Sequence, residues 1–215
     1  MILVCDTMPT DGPQYFTDAL ATLALEGREG AVHSIPQEGI PDLPGVDAVI
    51  ITGSTAGVYE TADRPWIDDG RALVHELVER EIPTYGVCFG HQLVNDALGG
   101  TVEAGDQKRG IVDVELDDPL FDDISNQIPM VHGDYVLEPG DEMETIGAAS
   151  YYDHLATRHT DAPVWTTQYH PEFTIELLDR IADDFGWPED EADRDFGNVT
   201  ADKTVSNFAR LAGID

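Results

Sequence analysis

The segment from residue 82 to residue 100 constrains the fold more than any other part of the chain, because its pattern is typical of a strand, a sharp turn and a helix in succession. A short apolar run leads to Cys88, apolar residues at helical spacing follow it, and a glycine pair ends the helix. Gly86 and Gly90 flank Cys88 as glycines flank the serine of a Gly-x-Ser-x-Gly nucleophile elbow, whose strained turn needs small neighbours. We therefore expect Cys88 to be an exposed nucleophile above a sheet, with the dipole of the following helix favouring its thiolate.

The first hundred residues alternate between buried strands and amphipathic helices. The pattern predicts strands at 2–5, 31–35, 48–52 and 83–87, and helices over 13–26, over about 65–80 and directly after Cys88. Near-continuous apolar strands separated by helices indicate a parallel sheet that is covered on both faces. Because sites gather at the carboxyl ends of such strands, we expect the loop at 53–57 to lie beside Cys88.

After residue 100 the pattern changes to shorter strands separated by Pro, Gly and Asp turns. We predict antiparallel or mixed strands at 111–116, 130–136, 145–149 and 164–169 that flank the main sheet. An acidic, solvated loop is expected at about 186–200, followed by a terminal helix at about 201–212. A length of 215 residues suits one α/β domain and is too short for two.

The charge balance excludes one class of partner. The chain has 43 acidic and 11 basic residues and a formal net charge of −32, so we expect no nucleic-acid binding, which depends on Lys and Arg. The acidic residues are spread along a chain of ordinary apolar content, which we interpret as a surface adapted to concentrated salt. An acidic disordered chain is the alternative, and the regular strand and helix patterns disfavour it.

The cysteine content and the N-terminus indicate a reduced compartment. Cys5 and Cys88 form no disulfide framework, and no apolar run approaches the ~20 residues that span a bilayer. The N-terminal residues lack the features of a signal peptide. We therefore expect a cytoplasmic protein without membrane association, in which Cys5 belongs to the core of the first strand.

A second motif supplies the partners that a cysteine nucleophile needs. Such a nucleophile requires a base, and the base requires a third group that fixes its tautomer. His170 and Glu172 have this chemistry, and Pro171 between them stiffens the backbone. Taken alone, the tripeptide could equally be a loop with an incidental ion pair. A metal site is the weaker alternative, since these residues and the distant Cys88 form no compact ligand cluster; we expect no metal and no cofactor.

These segments resemble the class I, triad-type glutamine amidotransferases. The Gly-x-Cys-x-Gly-x-Gln pattern of that family is matched at residues 86–92, and three motifs follow the family's order within residues 2–185. The run from Cys88 to Gln92 is more similar to stand-alone proteins related to the glutaminase domain of GMP synthase, and to γ-glutamyl peptidases, than to the commoner Cys-Leu-Gly-Met-Gln form. The resemblance implies a flavodoxin-like three-layer sandwich with a central, mostly parallel sheet and a small flanking antiparallel sheet.

The resemblance also implies roles for three groups of residues. Without it, the loop at 53–57 would be interpreted as a flexible turn, and residues 132–134 as a surface β-turn. In place of the family's usual Gly-Gly-Pro or Gly-Ser-Pro, the loop here begins Gly-Ser-Thr. The implied groups are a catalytic triad (Cys88, His170 and Glu172), an oxyanion hole built from backbone amides (Gly53, Ser54 and Phe89), and substrate-binding residues (Gln92, His132, Gly133 and Asp134).

Three functional hypotheses follow. The first is a glutaminase that forms a γ-glutamyl thioester on Cys88 and releases ammonia to a separate synthetase subunit. The second is a stand-alone hydrolase of γ-glutamyl peptides or amines, which the lack of any segment resembling an acceptor domain favours, whereas the His-Gly-Asp turn favours the first. The third is a non-catalytic regulatory protein on the same fold, which the intact triad disfavours.

Overall fold

The structure is a computed structural model that describes residues 1–188 and 196–214. The acidic loop expected at about 186–200 therefore lies partly outside the described residues. Within them the strands are β1 (Ile2–Asp6), β2 (Gly30–Ser34), β3 (Ala48–Ile51), β4 (Thr84–Val87), β5 (Thr101–Leu116), β6 (Gln127–Glu138), β7 (Met143–Ala149), β8 (Tyr152–His159) and β9 (Val164–Thr167). The α-helices are α1 (Tyr15–Leu25), α2 (Ile35–Glu38), α3 (Trp66–Glu79), α4 (Phe89–Ala97), α5 (Leu178–Phe185) and α6 (Lys203–Leu211).

The described strands form one sheet in the order β2-β1-β3-β4-β9-β8-β7-β5-β6. The first five strands in this order are parallel, and β8, β7, β5 and β6 continue the sheet with antiparallel pairing. The expected α/β fold is thus confirmed, and the flanking antiparallel strands are hydrogen-bonded into the same sheet through β9.

The parallel strands are apolar throughout because helices cover both of their faces. Along β1, Ile2 and Val4 pack on the face covered by α1 and α6, while Leu3 and Cys5 pack on the face covered by α3 and α4. This is the period of two that a strand imposes on its side chains. Cys5 is core as predicted, and its burial raises the pKa of the thiol to about 12.

Three elements differ from the sequence-based expectation. β5 begins ten residues earlier than expected, at Thr101, and its exposed, irregular stretch around residues 104–108 lacks the alternation that would have revealed it. β8 was not predicted. Neither was α5, of which only Ile181 is fully covered by other residues.

No helix in the described part of the chain is long and apolar enough to cross a membrane.

Candidate active site

The turn at Cys88 is a strained strand-to-helix junction. Cys88 has φ 53° and ψ −103°, in the left-handed half of the backbone map that non-glycine residues avoid. A Cβ added at Gly86 would lie 2.7 Å from the carbonyl oxygen of Gly90, and one added at Gly90 would lie 2.5 Å from the carbonyl oxygen of Ile51. Both glycines are therefore required by close backbone approach, and together they fold β4 directly into α4.

Cys88 is buried, so the expectation of an exposed nucleophile is wrong. The residue is 7% exposed and lies in the wall of a cleft of about 190 Å³. The elbow does project the sulfur beyond the sheet, but residues from α1, β6 and the end of α5 enclose it.

His170 and Glu172 form a hydrogen-bonded pair directly after β9. His170 Nδ1 lies 2.7 Å from Glu172 Oε1, and both side chains are buried. A tight turn, in which Phe173 N donates to His170 O at 3.2 Å, places the carboxylate behind the imidazole. Because a carboxylate accepts the Nδ1 proton, Nε2 is left to face Cys88.

Electrostatic interactions with Glu172 and Cys88 favour the protonated form of His170. Burial by itself would lower the pKa of His170, but the Glu172 carboxylate and a charged, hydrogen-bonded Cys88 together raise it well above its ordinary value. The protonated form of the His170 imidazole is therefore favoured. A thiolate beside an imidazolium is the activated form of a cysteine nucleophile.

The loop after β3 lies against both Cys88 and His170, as its predicted position at the carboxyl end of a neighbouring strand requires. A Cβ added at Gly53 would lie 3.5 Å from Cys88 Cβ and 2.8 Å from His170 Cε1, so only glycine fits there. Thr7 Oγ1 donates to Gly53 O at 3.1 Å, and Ala56 N donates to Ser54 Oγ at 3.1 Å. These hydrogen bonds constrain the loop, in which Thr55 stands where the family usually has a proline.

The expected oxyanion-hole residues are thereby brought to one side of the sulfur. Gly53 and Ser54 stand in this loop, Ser54 lines the cleft, and Phe89 opens α4 immediately after Cys88. Backbone amides at a helix start beside a nucleophile are suited to binding a developing oxyanion.

The residues expected to bind substrate border the same cleft. Gln92, His132, Gly133 and Asp134 all line the cleft. Burial lowers the pKa of His132 to about 4, so this ring is neutral; its Nδ1 donates to the carbonyl oxygen of Asp134 at 3.2 Å. The Asp134 carboxylate accepts from Tyr59 Oη at 3.1 Å, and its burial raises its pKa. One end of the cleft is therefore polar and carries a carboxylate.

The other end of the cleft is apolar and was not foreseen. Met8, Phe16 and Phe185 line it, and the ring centroid of Phe16 lies 4.7 Å from that of His170 and 6.0 Å from that of Phe185. Nothing in the sequence marks the two phenylalanines as neighbours, because they come from α1 and α5 at opposite ends of the chain.

Three polar residues of the site were also missed. Gln107 lines the cleft from the irregular part of β5, Tyr59 holds Asp134, and Gln168 contacts Cys88. A signal existed for Gln168 alone: in extended chain, residues two apart point the same way, so Gln168 shares its side with His170.

The assembled groups are suited to acyl transfer: a cysteine sulfur, an imidazole hydrogen-bonded to a carboxylate, and a loop and a helix start next to that cysteine. Among residues 1–188 and 196–214, no group of three or more His, Cys, Asp and Glu side chains is placed to hold a metal ion.

The chain matches the family described as glutamine amidotransferase class-I over residues 28–185. It is 33% identical over 192 residues to the GMP synthase (glutamine-hydrolyzing) of Thermotoga sp. strain RQ2, with 86% of this chain and 35% of that protein aligned. It is 34% identical over 168 residues to the GMP synthase (glutamine-hydrolyzing) of Clostridium novyi strain NT, with 72% of this chain and 31% of that protein aligned. The chain thus spans about a third of the length of these relatives.

Solved structures share the fold over nearly the whole chain. A glutamine amidotransferase from Thermotoga maritima superposes with a TM-score of 0.76 at 16% identity, covering 99% of this chain and 98% of that one. A second glutamine amidotransferase, from Methylobacillus flagellatus, superposes with a TM-score of 0.70 at 18% identity, covering 98% and 90%. At these identities the likeness concerns the fold alone.

Proposed function

Because this chain belongs to the class-I glutamine amidotransferase family, we propose that it hydrolyses the side-chain carboxamide of glutamine through a thioester on Cys88. The observation that carries the proposal is the contact of Cys88 with His170, whose Nδ1 lies 2.7 Å from Glu172 Oε1. Cys88 and His170 line one cleft and Glu172 is buried behind the imidazole, an arrangement that supports the expected catalytic triad.

In the acylation half of the proposed reaction, the Cys88 thiolate attacks the carboxamide carbon. Backbone amides of Gly53, Ser54 and Phe89 stabilise the resulting oxyanion. His170 then gives its Nε2 proton to the leaving nitrogen, the C–N bond breaks, and ammonia departs from a γ-glutamyl thioester. The Glu172 carboxylate accepts the hydrogen bond from Nδ1 throughout.

In the deacylation half, His170 takes a proton from a water molecule as the water oxygen bonds to the thioester carbon. The C–S bond breaks, glutamate leaves, and the thiolate and imidazolium are restored. The polar end of the cleft receives the amino-acid end of the substrate: Asp134 attracts the ammonium group, and Gln92 with residues 132–133 completes this wall.

We also propose a partner. The relatives named as glutamine-hydrolyzing GMP synthases are about three times as long as the matched region. A synthetase domain or subunit that consumes the ammonia is therefore the partner that best suits this chain.

The charge of the surface indicates the environment in which the protein works. With a formal net charge of −32, the chain suits concentrated salt, in which hydrated carboxylates keep a protein dissolved. We propose that it works in a salt-rich cytoplasm.

The apolar end of the cleft favours a second candidate function. The leaving nitrogen must face His170, and Phe16 and Phe185 lie on that side of the cleft. The same side continues past Thr55 into a surface groove that includes Pro13 and Arg64. Ammonia needs no apolar wall, whereas an N-substituent on the leaving amine would be desolvated by one. This observation supports hydrolysis of N-substituted γ-glutamyl amides.

The two candidates are separated by assaying glutamate release from glutamine, from γ-glutamyl-phenylalanine and from γ-glutamyl-glycine. Preference for glutamine supports the glutaminase, and preference for γ-glutamyl-phenylalanine supports the second candidate. In either case we expect Cys88→Ala to abolish turnover. Cys5→Ala, which changes the second cysteine of the chain, is the control and retains turnover. If no substrate is turned over and a glutamine-analogue chloroketone fails to label Cys88, the proposal is wrong and a binding role remains.

A further inference from the structure

Gln168 is a buried polar residue to which the proposed mechanism gives no role. It follows β9 directly, its backbone N donates to Leu155 O at 2.8 Å, and its side chain is fully buried. The backbone bond fixes where the side chain starts, two residues before His170. A buried amide needs partners for both its donors and its acceptor, so the contacts it makes are informative.

The orientation of the Gln168 amide follows from its neighbours. Gln92 Nε2 lies 3.4 Å from the carbonyl oxygen of Asp134, an atom that only accepts, so this end of Gln92 is the donor. The Gln168 atom that lies 3.2 Å from Gln92 Nε2 must then be the acceptor, Oε1. The reverse orientation would bring two NH₂ groups together. The Gln168 Nε2 group is thereby directed at Cys88, 3.5 Å from Sγ.

A second group holds the same orientation from the antiparallel side of the sheet. Tyr152 Oη lies 3.4 Å from Gln168 Oε1 and donates to it, while it accepts from Val136 N at 2.8 Å. The phenol is buried and its rotation is limited by this backbone contact. The position of Gln168 thus depends on β6 and β8 as well as on the loop that carries His170.

We propose that Gln168 is a positioning residue whose side-chain amide donates a hydrogen bond to the Cys88 sulfur and holds it as a thiolate in the line of attack. A donor aimed at an atom favours the charged form of that atom, most strongly where water is excluded. His170 donates from one side of the sulfur and Gln168 from another, so rotation of the sulfur away from the substrate is opposed. Gln92 is hydrogen-bonded to Gln168 and also belongs to the wall that receives the amino-acid end of the substrate, so it connects the two.

The test compares the rates at which iodoacetamide alkylates Cys88 at pH 7 and at about pH 10, above the ordinary thiol pKa of about 8.5. Gln168→Met keeps the length of the side chain but removes the donor, so alkylation at pH 7 slows by about tenfold. At the higher pH every variant holds a thiolate, and the Gln168→Met rate matches or slightly exceeds the parent rate. Gln168→Glu places a carboxylate against the sulfur. It therefore lowers the ratio of the alkylation rate at the lower pH to the rate at the higher pH below the ratio found for Gln168→Met.

The matched control is Thr157→Val. Thr157 is also fully buried and also hydrogen-bonded, to Asn95 and Thr166, but it does not contact Cys88. This variant loses thermal stability and keeps the parent ratio of alkylation rates. Circular dichroism verifies that each variant is folded at both pH values, and if Gln168→Met does not fold, Gln168→Glu carries the comparison.

A Gln168 variant with the parent ratio overturns the proposal, whatever happens to its stability, because it shows that Gln168 only packs. The alkylation assay uses no γ-glutamyl compound, so its outcome is independent of the proposed function. With an active substrate, the proposal further requires that Gln168→Met lowers kcat more than it raises KM.

Discussion

His170 and Glu172 are hydrogen-bonded partners, yet they are expected to contribute unequally to acyl transfer. His170→Ala removes the group proposed to exchange protons with the sulfur and the leaving nitrogen, so we expect nearly complete loss of turnover. Glu172→Gln removes only the charge that orients the imidazole. In a comparable triad, removing the base lowers kcat about a hundredfold more than removing the carboxylate does. The measurement is kcat/KM of both variants on the best γ-glutamyl substrate.

The same two variants distinguish a triad from a dyad. If Glu172→Gln is as active as the parent, then the 2.7 Å contact with His170 is structural and the pair Cys88–His170 acts alone. In either variant a reactive electrophile still labels Cys88, more slowly in His170→Ala because the thiolate loses its cation.

At the scale of elements, α4 is joined to β8 and β9 by polar contacts around His91. His91 Nδ1 lies 2.7 Å from Thr166 Oγ1 and its Nε2 lies 3.0 Å from Tyr152 Oη. Burial, with a smaller effect of His132, lowers the pKa of His91 to about 3. The helix that presents Cys88 is therefore anchored by a neutral imidazole.

This anchoring predicts a pH dependence of stability. As the pH falls below about 6.5, His91 gains a proton in the unfolded chain but not in the folded one, so stability is lost towards pH 3 at about 1.4 kcal/mol per pH unit. Between pH 7 and pH 5 the parent should lose about 2 kcal/mol more than His91→Gln, as measured by urea unfolding. His75→Gln, at an exposed position of α3, is the control and keeps the parent slope; equal slopes in all three proteins would contradict the prediction.

The terminal helix α6 covers one face of the parallel strands. Phe208 is fully buried, with its ring centroid 5.6 Å from that of Tyr85 in β4, and Thr204 is hydrogen-bonded to Tyr169 at 2.7 Å. Phe208→Ala should cost about 3–5 kcal/mol of unfolding free energy, since it leaves a cavity under β4. Ser206→Ala, on the exposed side of α6, should be near neutral in the same denaturant titration; a Phe208→Ala cost below about 1 kcal/mol would mean that α6 is only loosely attached.

At the scale of the whole molecule, the charge of −32 predicts a strong dependence of stability on salt. The Debye length falls from ~10 Å at 0.1 M to ~3 Å at 1 M, so repulsion between surface carboxylates is progressively screened. The melting temperature should rise steadily between about 0.1 M and about 2 M KCl. Changing Glu26, Glu29 and Glu79 together to Gln, all at exposed positions, should reduce that rise, and a flat profile in the parent would refute the adaptation to salt.

Features that depend only on residues close together along the chain were determined by the sequence itself. The strands β1, β3 and β4, the elbow at Cys88 and the helices beside it follow from local apolar spacing and from two glycines that the backbone approach requires. β8 and α5 lacked such a signal, because the burial along β8 is neither continuous nor alternating and Ile181 alone is buried in α5. The roles of the triad, oxyanion and substrate-binding residues stay predictions, although most of these residues line one cleft and the other three (Gly53, Phe89 and Glu172) adjoin lining residues.

Tertiary structure alone decided how that cleft is closed and polarised. It buried Cys88, placed Phe16 beside His170 and Phe185, and directed the amide of Gln168 at a sulfur 80 residues away in the chain. Sequence patterns report the period of a strand or helix and therefore which face of an element is buried. Which side chains meet across that buried face depends on how separate elements pack, and no local period encodes that.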